Sequence, residues 1–471
     1  MTGDPLEHVI AFWKPMMEVP AVGAPGNVLE PAQTPGHGFG AMAPASEPRR
    51  YTIVDGPDRI RIFAAVEPIG AVPPSATVVA EVLDDTGTPY SYVLRHSDNG
   101  AVVVPFDPTR AIEAFWHEDY LPRSRRSALP KPLLSFYYTV AKRFMPAVVR
   151  QWLRRRLAHR ALASPDMLTW PMDQDLDLLQ RFLLKALMLA AGRTEVEFVW
   201  FWPDRHPWAV TLTHDVETGN GLARVPHVAE LERKRGLRSS FNMVPRDYEV
   251  PDALVQDLTG DGFEIGVHGY THDGLLFSSR TVFDERTGTI EAAARRWGAV
   301  GFRSPATYRN PDWLPLLPFE YDSSYSNTAP CEPQPGGCGS FFPFAVGRMT
   351  ELPITLPQDH TLFELLQESG PGTWLSVLSA IKASHGMACV LAHPDPAEGY
   401  MGMPENQLAY EAVLDEVAAS DAWKALPRDV ARWWRARAEA SPEAGALMER
   451  ASLGTACLDA AGRLEIVPPP A

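Results

Sequence analysis

Polar and apolar residues alternate along Arg59-Ile-Arg-Ile-Phe-Ala-Ala-Val66, the period expected of a half-buried strand. Ala76–Leu83 and Gly100–Pro105 are also strand-like, and Asp98-Asn-Gly100 supplies a turn signal before the latter. The pattern changes near Glu195, where short apolar runs begin to alternate with stretches of helical period. Strands are expected at Trp208–Thr213, Ser239–Val244, Phe263–Val267, Val300–Phe302 and Met387–Leu391. Helices are expected at His227–Arg235, Pro251–Leu258, Thr289–Trp297 and Trp374–Ser384. Repeated β-then-α order favours parallel strands, so this part is read as an α/β fold, a (β/α) barrel. A further helical pair follows at 405–440.

These patterns divide the chain into five parts. Residues 1–50 are rich in Pro, Gly and Ala and expected to be irregular, and 51–120 form a small β-rich or α/β domain. Residues 121–194 form a basic helical connector, ending in an amphipathic helix over Asp175–Ala191. The barrel spans 195–440, and 441–471 form a tail with one short strand, Arg463–Val467. The length of 471 residues fits such a multidomain chain.

The formal charge of −15 argues against non-specific nucleic-acid binding. No run approaches the ~18 apolar residues of a membrane span. The N-terminus lacks the basic head and long apolar core of a secretory signal, so the expected location is cytoplasmic. Cys331 and Cys338 bracket a Pro/Gly-rich loop at a spacing that matches no zinc pattern, and free thiols are expected.

One block departs from the acidic background. Tyr120 to Arg160 holds eleven Lys or Arg and no Asp or Glu, with aromatic and apolar residues interleaved. Such a block either pairs with the protein's own acidic surface or makes a basic amphipathic contact, peripherally with anionic lipid at the inner face of the membrane or with an anionic glycan carrier; nucleic acid is the remaining alternative.

The candidate chemistry lies at the ends of the predicted strands. His268-Gly-Tyr-Thr-His272 places two imidazoles four apart, the offset that puts both on one face of a helical turn. Asp215 and Glu217 end another strand, Arg303 a third, and His393 a fourth. Ligands, a base, an orienting cation and an acid are the parts of a metal-assisted hydrolase.

In this order the motifs resemble those of the polysaccharide deacetylases of the NodB-homology, carbohydrate esterase type. Thr213-His-Asp215, His268-Gly-Tyr-Thr-His272, Arg303-Ser-Pro305, Tyr321-Asp-Ser-Ser324 and Leu391-Ala-His-Pro394 stand where that family has its five motifs, and the resemblance covers roughly residues 200–400. It implies a seven-stranded, distorted barrel and a metal-dependent N-deacetylase. The substrate it implies is an acetylated amino-sugar glycan, or a lipid- or nucleotide-linked glycan precursor. It also implies a divalent metal, Zn²⁺ first, on His268, His272 and a carboxylate.

Val216 stands in place of the family's metal-binding aspartate, which leaves two registers open. Either Asp215 is the base and Glu217 the ligand, or Asp215 is the ligand and His214 the base. By the same resemblance Arg303 orients Asp215, the Ala306 N–H serves an oxyanion hole, His393 donates a proton to the leaving amine, and Asp322 keeps His393 protonated. Hydrolysis of a non-sugar C–N bond, or an inactive carbohydrate-binding scaffold on the same fold, are the competing readings.

Overall fold

The computed structural model describes residues 6–14, 39–42, 44, 46–121, 147–163, 167–397, 399–439 and 445–470. The chain divides into two compact units. One gathers Met1–Tyr120, Gln174–Arg205 and Ala436–Ala471, and the other Leu121–Asp173 and His206–Arg435.

The first unit has a six-stranded sheet in the order Phe39–Ala41, Val102–Val104, Pro89–His96, Ala76–Leu83, Arg49–Asp55 and Asp58–Ala64. Its first pair is parallel and the others antiparallel. Ile60, Ile62 and Ala64 point into the core, as the alternation requires. The helix Asp175–Ala190 is tied to the sheet by Lys185–Asp55 (2.6 Å) and Arg61–Asp175 (2.5 Å) ion pairs.

This unit departs from the linear division expected above. The connector 121–194 is split between the two units, and the tail contributes two strands, not one, to a sheet. Strand Leu453–Leu458 pairs antiparallel with both Leu464–Val467 and Glu195–Val199. That pairing spans some 250 residues of sequence, and local periodicity carries no trace of it.

The second unit is the barrel. Its strands are β1 (Ala209–Val216), β2 (Ser239–Met243), β3 (Glu264–His268), β4 (Gly301–Arg303), β5 (Tyr321–Asp322), β6 (Met349–Glu351) and β7 (Met387–Ala392). Neighbours pair in parallel in the order β7-β1-β2-β3-β4-β5-β6. Nearly every strand residue is buried, as expected where helices cover the outer face of a parallel sheet.

The ring closes irregularly, through the chain just after β6. Leu352 and Ile354 donate backwards to Asp322 and Tyr325 (2.9 and 2.8 Å), while Thr355 N–H donates forwards to the Cys389 carbonyl (3.2 Å). Pro353 and Pro357 lack the N–H groups a regular ladder needs, which accounts for the distortion. Two short strands sit outside the ring. Phe344–Val346 runs antiparallel to β6, and Trp423–Lys424 extends alongside the start of β1.

Helices begin where side chains can cap them. Thr218 accepts from Gly221 N–H (3.2 Å) ahead of Gly219–Arg233, and Ser279 accepts from Val282 N–H (3.3 Å) ahead of Arg280–Trp297. Both helices therefore start eight or nine residues before the sequence expectation, because the capping residues lie ahead of the amphipathic stretch.

Of the basic block, residues 122–146 lie outside the described residues. Residues 147–160 of the block lie in the helix Ala147–Leu162 of the barrel unit. Among the described residues no helix is long and apolar enough to cross a membrane, and all four cysteines are free thiols.

The floor of the barrel is tight at Gly301, where a Cβ would come within 1.9 Å of the Tyr321 ring. The Tyr321 hydroxyl is held by Glu264 (2.7 Å), so the ring cannot swing away without breaking a buried bond. Gly301→Ala is therefore expected to destabilise the barrel by about 1–3 kcal/mol. Chemical denaturation is the check, and an unchanged midpoint would show that the ring relocates freely.

Candidate active site

The polar ends of β1, β3, β4 and β7 face one another at the C-terminal mouth of the barrel, where (β/α) barrels carry their chemistry. On β1 the strand alternation separates Asp215 from its neighbour. Asp215 is buried with Thr213 beside Arg303, whose Nη1 donates to Asp215 Oδ1 (3.2 Å) and to Thr213 Oγ1 (2.8 Å). Asn242 on β2 donates to the same Asp215 oxygen (2.8 Å). His214 points to the opposite face of β1. Its Nδ1 meets the Ala392 carbonyl (3.0 Å), and its Nε2 lies 2.6 Å from Glu232 and 3.2 Å from the Tyr410 hydroxyl. The register that made His214 the base is thereby overturned, since a one-residue step along a strand turns the side chain to the other side of the sheet.

Burial raises the Asp215 pKa, but His268, Arg303 and His393 outweigh it, and the group settles at about 2. Glu217 likewise loses to burial less than it gains from His272 and His393, and lies well below the usual carboxylate range. Its Oε1 is 3.0 Å from His272 Nε2 and 3.7 Å from His393 Nε2, while the Tyr400 hydroxyl donates to Oε2 (2.9 Å).

His268 ends β3, but His272 does not follow it on a helix. Gly269 takes a left-handed φ of +68°, and the chain turns. A Cβ at Gly269 would meet Pro305 at 2.5 Å, so the position needs glycine for space as well as for φ. The helical-face reading of the pair is thus corrected. Strand end and turn bring the two rings to 5.2 Å. Asp247 holds the turn by accepting from His272 N–H (2.7 Å).

His268 Nδ1 faces the Arg303 carbonyl (3.0 Å), which fixes the proton there. Burial lowers the ring's pKa to about 4 despite Asp215, so Nε2 carries a free lone pair. That buried nitrogen has no hydrogen-bond partner, and the nearest carboxylate oxygen, Asp215 Oδ2, is 3.7 Å away.

His393 is held differently. Its Nδ1 lies 2.6 Å from Asp359 Oδ1, and its backbone N–H donates to Asp359 Oδ2 (2.7 Å). Burial lowers its pKa, but Asp359, Glu217 and Asp215 raise it further, to about 10. Tyr400 stacks on the ring at 4.4 Å.

Asp322 does not fill the role expected of it. It accepts from Ser324 Oγ (2.7 Å), which in turn accepts from Ser304 N–H (2.9 Å), and it lies beside Glu351 in the β5–β6 ladder. Burial raises the pKa of both carboxyls, and proximity to Asp322 raises Glu351 further. Asp322 thus supports the loop after β4, and Asp359 is the carboxylate at His393. That loop is strained, since Ala306 and Thr307 both take left-handed φ values of +54° and +52°.

An orphaned neutral imidazole nitrogen beside two ionised carboxylates and a second imidazole is a donor set that suits a divalent cation. Among the described residues no three such side chains stand as a preformed ligand set, and His272 and Glu217 are closed on each other as an ion pair.

Four residues of this site escaped the sequence reading. Asn242 was legible as an amide inside a buried strand, Ser239-Ser-Phe-Asn-Met243. Asp395, which accepts from Glu217 N–H (3.0 Å), directly follows His393-Pro394. Asp359 and Tyr400 carry no local signal and reach the site through the barrel closure and a loop.

No protein-family model and no curated protein matches this chain. Among solved structures, one described as a polysaccharide deacetylase from Mycobacterium smegmatis aligns at 23% identity over 50% of this chain and 93% of its own, with a TM-score of 0.41. A Puue allantoinase aligns at 15% identity over 50% and 92%, with a TM-score of 0.41. A structure described as a polysaccharide deacetylase from Pseudomonas aeruginosa PAO1 aligns at 16% over 50% and 93%, with a TM-score of 0.40. Likeness at this level decides nothing about activity, which has to be argued from the side chains.

The Asp359 contact can be tested directly. A pKa raised from the ordinary 6.5 to about 10 adds stability that is complete below pH ~6.5 and lost as pH rises through about 10. Asp359→Asn should return His393 to the ordinary imidazole range or below and cost of the order of 3 kcal/mol at pH 7. NMR titration of the ring reads this, and a His393 still protonated above pH 8 in the variant would show that Asp359 is not the cause.

Proposed function

We propose that the barrel unit is a metal-dependent hydrolase that removes the N-acetyl group from an amino sugar in a glycan or glycan precursor. One observation carries the reading. An ionised carboxylate and a protonated imidazole, the poles of an acid–base pair, share a barrel mouth with an unpartnered imidazole nitrogen.

His268, His272 and Glu217 would hold the metal, with Zn²⁺ the first candidate for two imidazoles and a carboxylate. A bound divalent cation supplies acidification of water and polarisation of the amide carbonyl, which a carboxylate with a pKa of about 2 needs in its reaction partner.

Asp215 takes the proton of the attacking water. Arg303 and Asn242 both bind its Oδ1, which leaves Oδ2 as the free basic atom on the His268 side. Addition to the acetyl carbonyl places negative charge on its oxygen. The Ala306 N–H, in a strained loop braced by Ser304, Ser324 and Asp322, is the group suited to receive that charge. His393 gives its Nε2 proton to the departing nitrogen as the C–N bond breaks, so that acetate and the free amine leave. Asp359 keeps that proton in place between turnovers, and Tyr400 fixes the ring plane.

A second part of the reading concerns the helix Ala147–Leu162. Ala158 is buried and Arg155 faces inward, bonding the Glu364 carbonyl (3.0 Å), so one side of the helix packs on the barrel unit. The other side exposes Val149, Trp152, Leu153 and Leu157, with Arg156 set over the Trp152 ring at 5.3 Å. Exposed apolar residues among arginines suit a bilayer with anionic headgroups, the setting in which a lipid-linked glycan is presented.

Two measurements follow. Asp215→Asn should keep bound metal and lose about 10²–10⁴-fold in deacetylation, while His268→Ala should lose the metal itself. Elemental analysis after dialysis and acetate release on an N-acetylated chitooligosaccharide read the two effects, and full metal content in His268→Ala would defeat the ligand assignment. For the helix, co-sedimentation with phosphatidylserine vesicles should fall with salt and in a Trp152→Ser, Arg156→Ser double variant. Absence of binding by the intact protein at low salt would rule out the membrane contact.

A further inference from the structure

Beside the candidate acid, the Tyr400 ring leads on to an imidazole, His360, that the proposed reaction does not use. Tyr400 stacks on His393 and meets His360 edge to face, with ring centres 5.7 Å apart. The far nitrogen of His360, Nε2, lies 2.9 Å from Arg154 Nη2. Burial, then the Arg154 charge, then His393, hold His360 to a pKa of about 3, so the imidazole is neutral and accepts the guanidinium N–H. His360 is itself fixed, because its backbone N–H donates to Asp359 (2.8 Å) and it begins the wide single turn His360–Leu365.

Two adjacent arginines on the same helix meet different fates. Arg155 is matched, since it bonds the Glu364 carbonyl and lies 3.5 Å from the Glu364 carboxylate. That contact anchors the helix beside the site. Arg154 is directed at the same wall, yet its partner is a neutral ring. Among the described residues no carboxylate lies within ion-pair reach of it, and it is exposed. From Tyr120 to Arg160 the sequence offers no Asp or Glu that could serve. A guanidinium pinned by one N–H, with no other partner among the described residues, is a prepared receptor for an oxyanion.

We propose that Arg154 is a specificity-determining residue that binds an oxyanionic group, carboxylate or phosphate, on a substrate whose N-acetyl group lies at His393. This rests on the deacetylase reading for the reaction but not for the binding. The favoured substrate is thus an amino sugar that carries negative charge near its acetamido group, in place of a neutral chitin-like one. His360 acts as a positioning residue that holds the guanidinium two rings away from His393.

The test separates the two claims. Isothermal titration of the metal-loaded protein would use three probes: N-acetylglucosamine, N-acetylglucosamine 6-phosphate and the corresponding 6-carboxylate, N-acetylglucosaminuronic acid. The intact protein should bind at least one anionic probe about tenfold or more tighter than the neutral one, a charge-assisted hydrogen bond being of that size. The probe that gains shows whether phosphate or carboxylate is read. Arg154→Gln should abolish the preference while leaving neutral binding unchanged, and Arg154→Lys should keep part of it. In turnover, Arg154→Gln should raise KM for the preferred anionic substrate with little change in kcat, since Arg154 does not touch the reacting atoms. Circular dichroism confirms that the variants fold. No anionic preference in the intact protein, or a preference that survives Arg154→Gln, overturns the proposal. Anionic preference without acetate release from any probe leaves Arg154 as the anion receptor and overturns the deacetylase reading instead.

Discussion

The buried Arg303 guanidinium is the element on which the rest of the mouth depends. It donates to Asp215 and Thr213 on β1, and to the Ser323 carbonyl and hydroxyl just after β5 (both 2.6 Å). Its own carbonyl fixes the His268 ring. One residue therefore ties strands across the barrel, neutralises the candidate base and sets which nitrogen of the candidate ligand is free. A guanidinium can do this because its planar fork offers several donors at fixed angles. A fully buried cation is tolerable only where every donor is met and a carboxylate is at hand, and Asp215 meets that condition. Lysine at the same place would keep the charge but could not hold three strand ends together.

The same economy divides acid from base. Asp215 and His393 occupy one mouth, yet one is driven to a pKa of about 2 and the other to about 10. Burial opposes the charged form of both. What decides each outcome is the neighbours, His268 and the Arg303 charge beside Asp215 and the Asp359 charge beside His393. The two charged groups also stabilise each other, so neither value is a property of the residue alone. His272, closed on Glu217 as an ion pair, belongs to the same network.

Legibility in the sequence followed locality. The strand ends that carry Asp215, His268, Arg303 and His393 could be read because each chemistry-bearing residue directly follows an apolar run, and the run itself is a local signal. The His268–His272 pair was found for a partly mistaken reason, since the offset of four suggested a helix where a left-handed Gly269 makes a turn. The His214 register was open in the sequence and closed by the pleat, because only a strand of known span says which of two neighbours faces inward. Asp359 could not be found. It enters from the segment that closes the ring, where Pro353 and Pro357 erase the strand pattern. The sequence assigns that place to Asp322, whose bonds lead instead to the Ser304 loop. The pairing of Leu453–Leu458 with Glu195–Val199 was invisible for the same reason of distance.

The helix Ala147–Leu162 bears on substrate choice in a way the barrel strands do not. Strand ends fix the reacting groups, and a change there alters the reaction. A helix brought from before the barrel can alter what surrounds the reaction and leave those groups untouched. Its inward face meets the wide turn after Asp359, next to the ring stack on His393. The composition of the helix then matters more than its propensity. With arginines in place of the usual mixture of charges, the wall it builds beside an otherwise acidic cluster is positive.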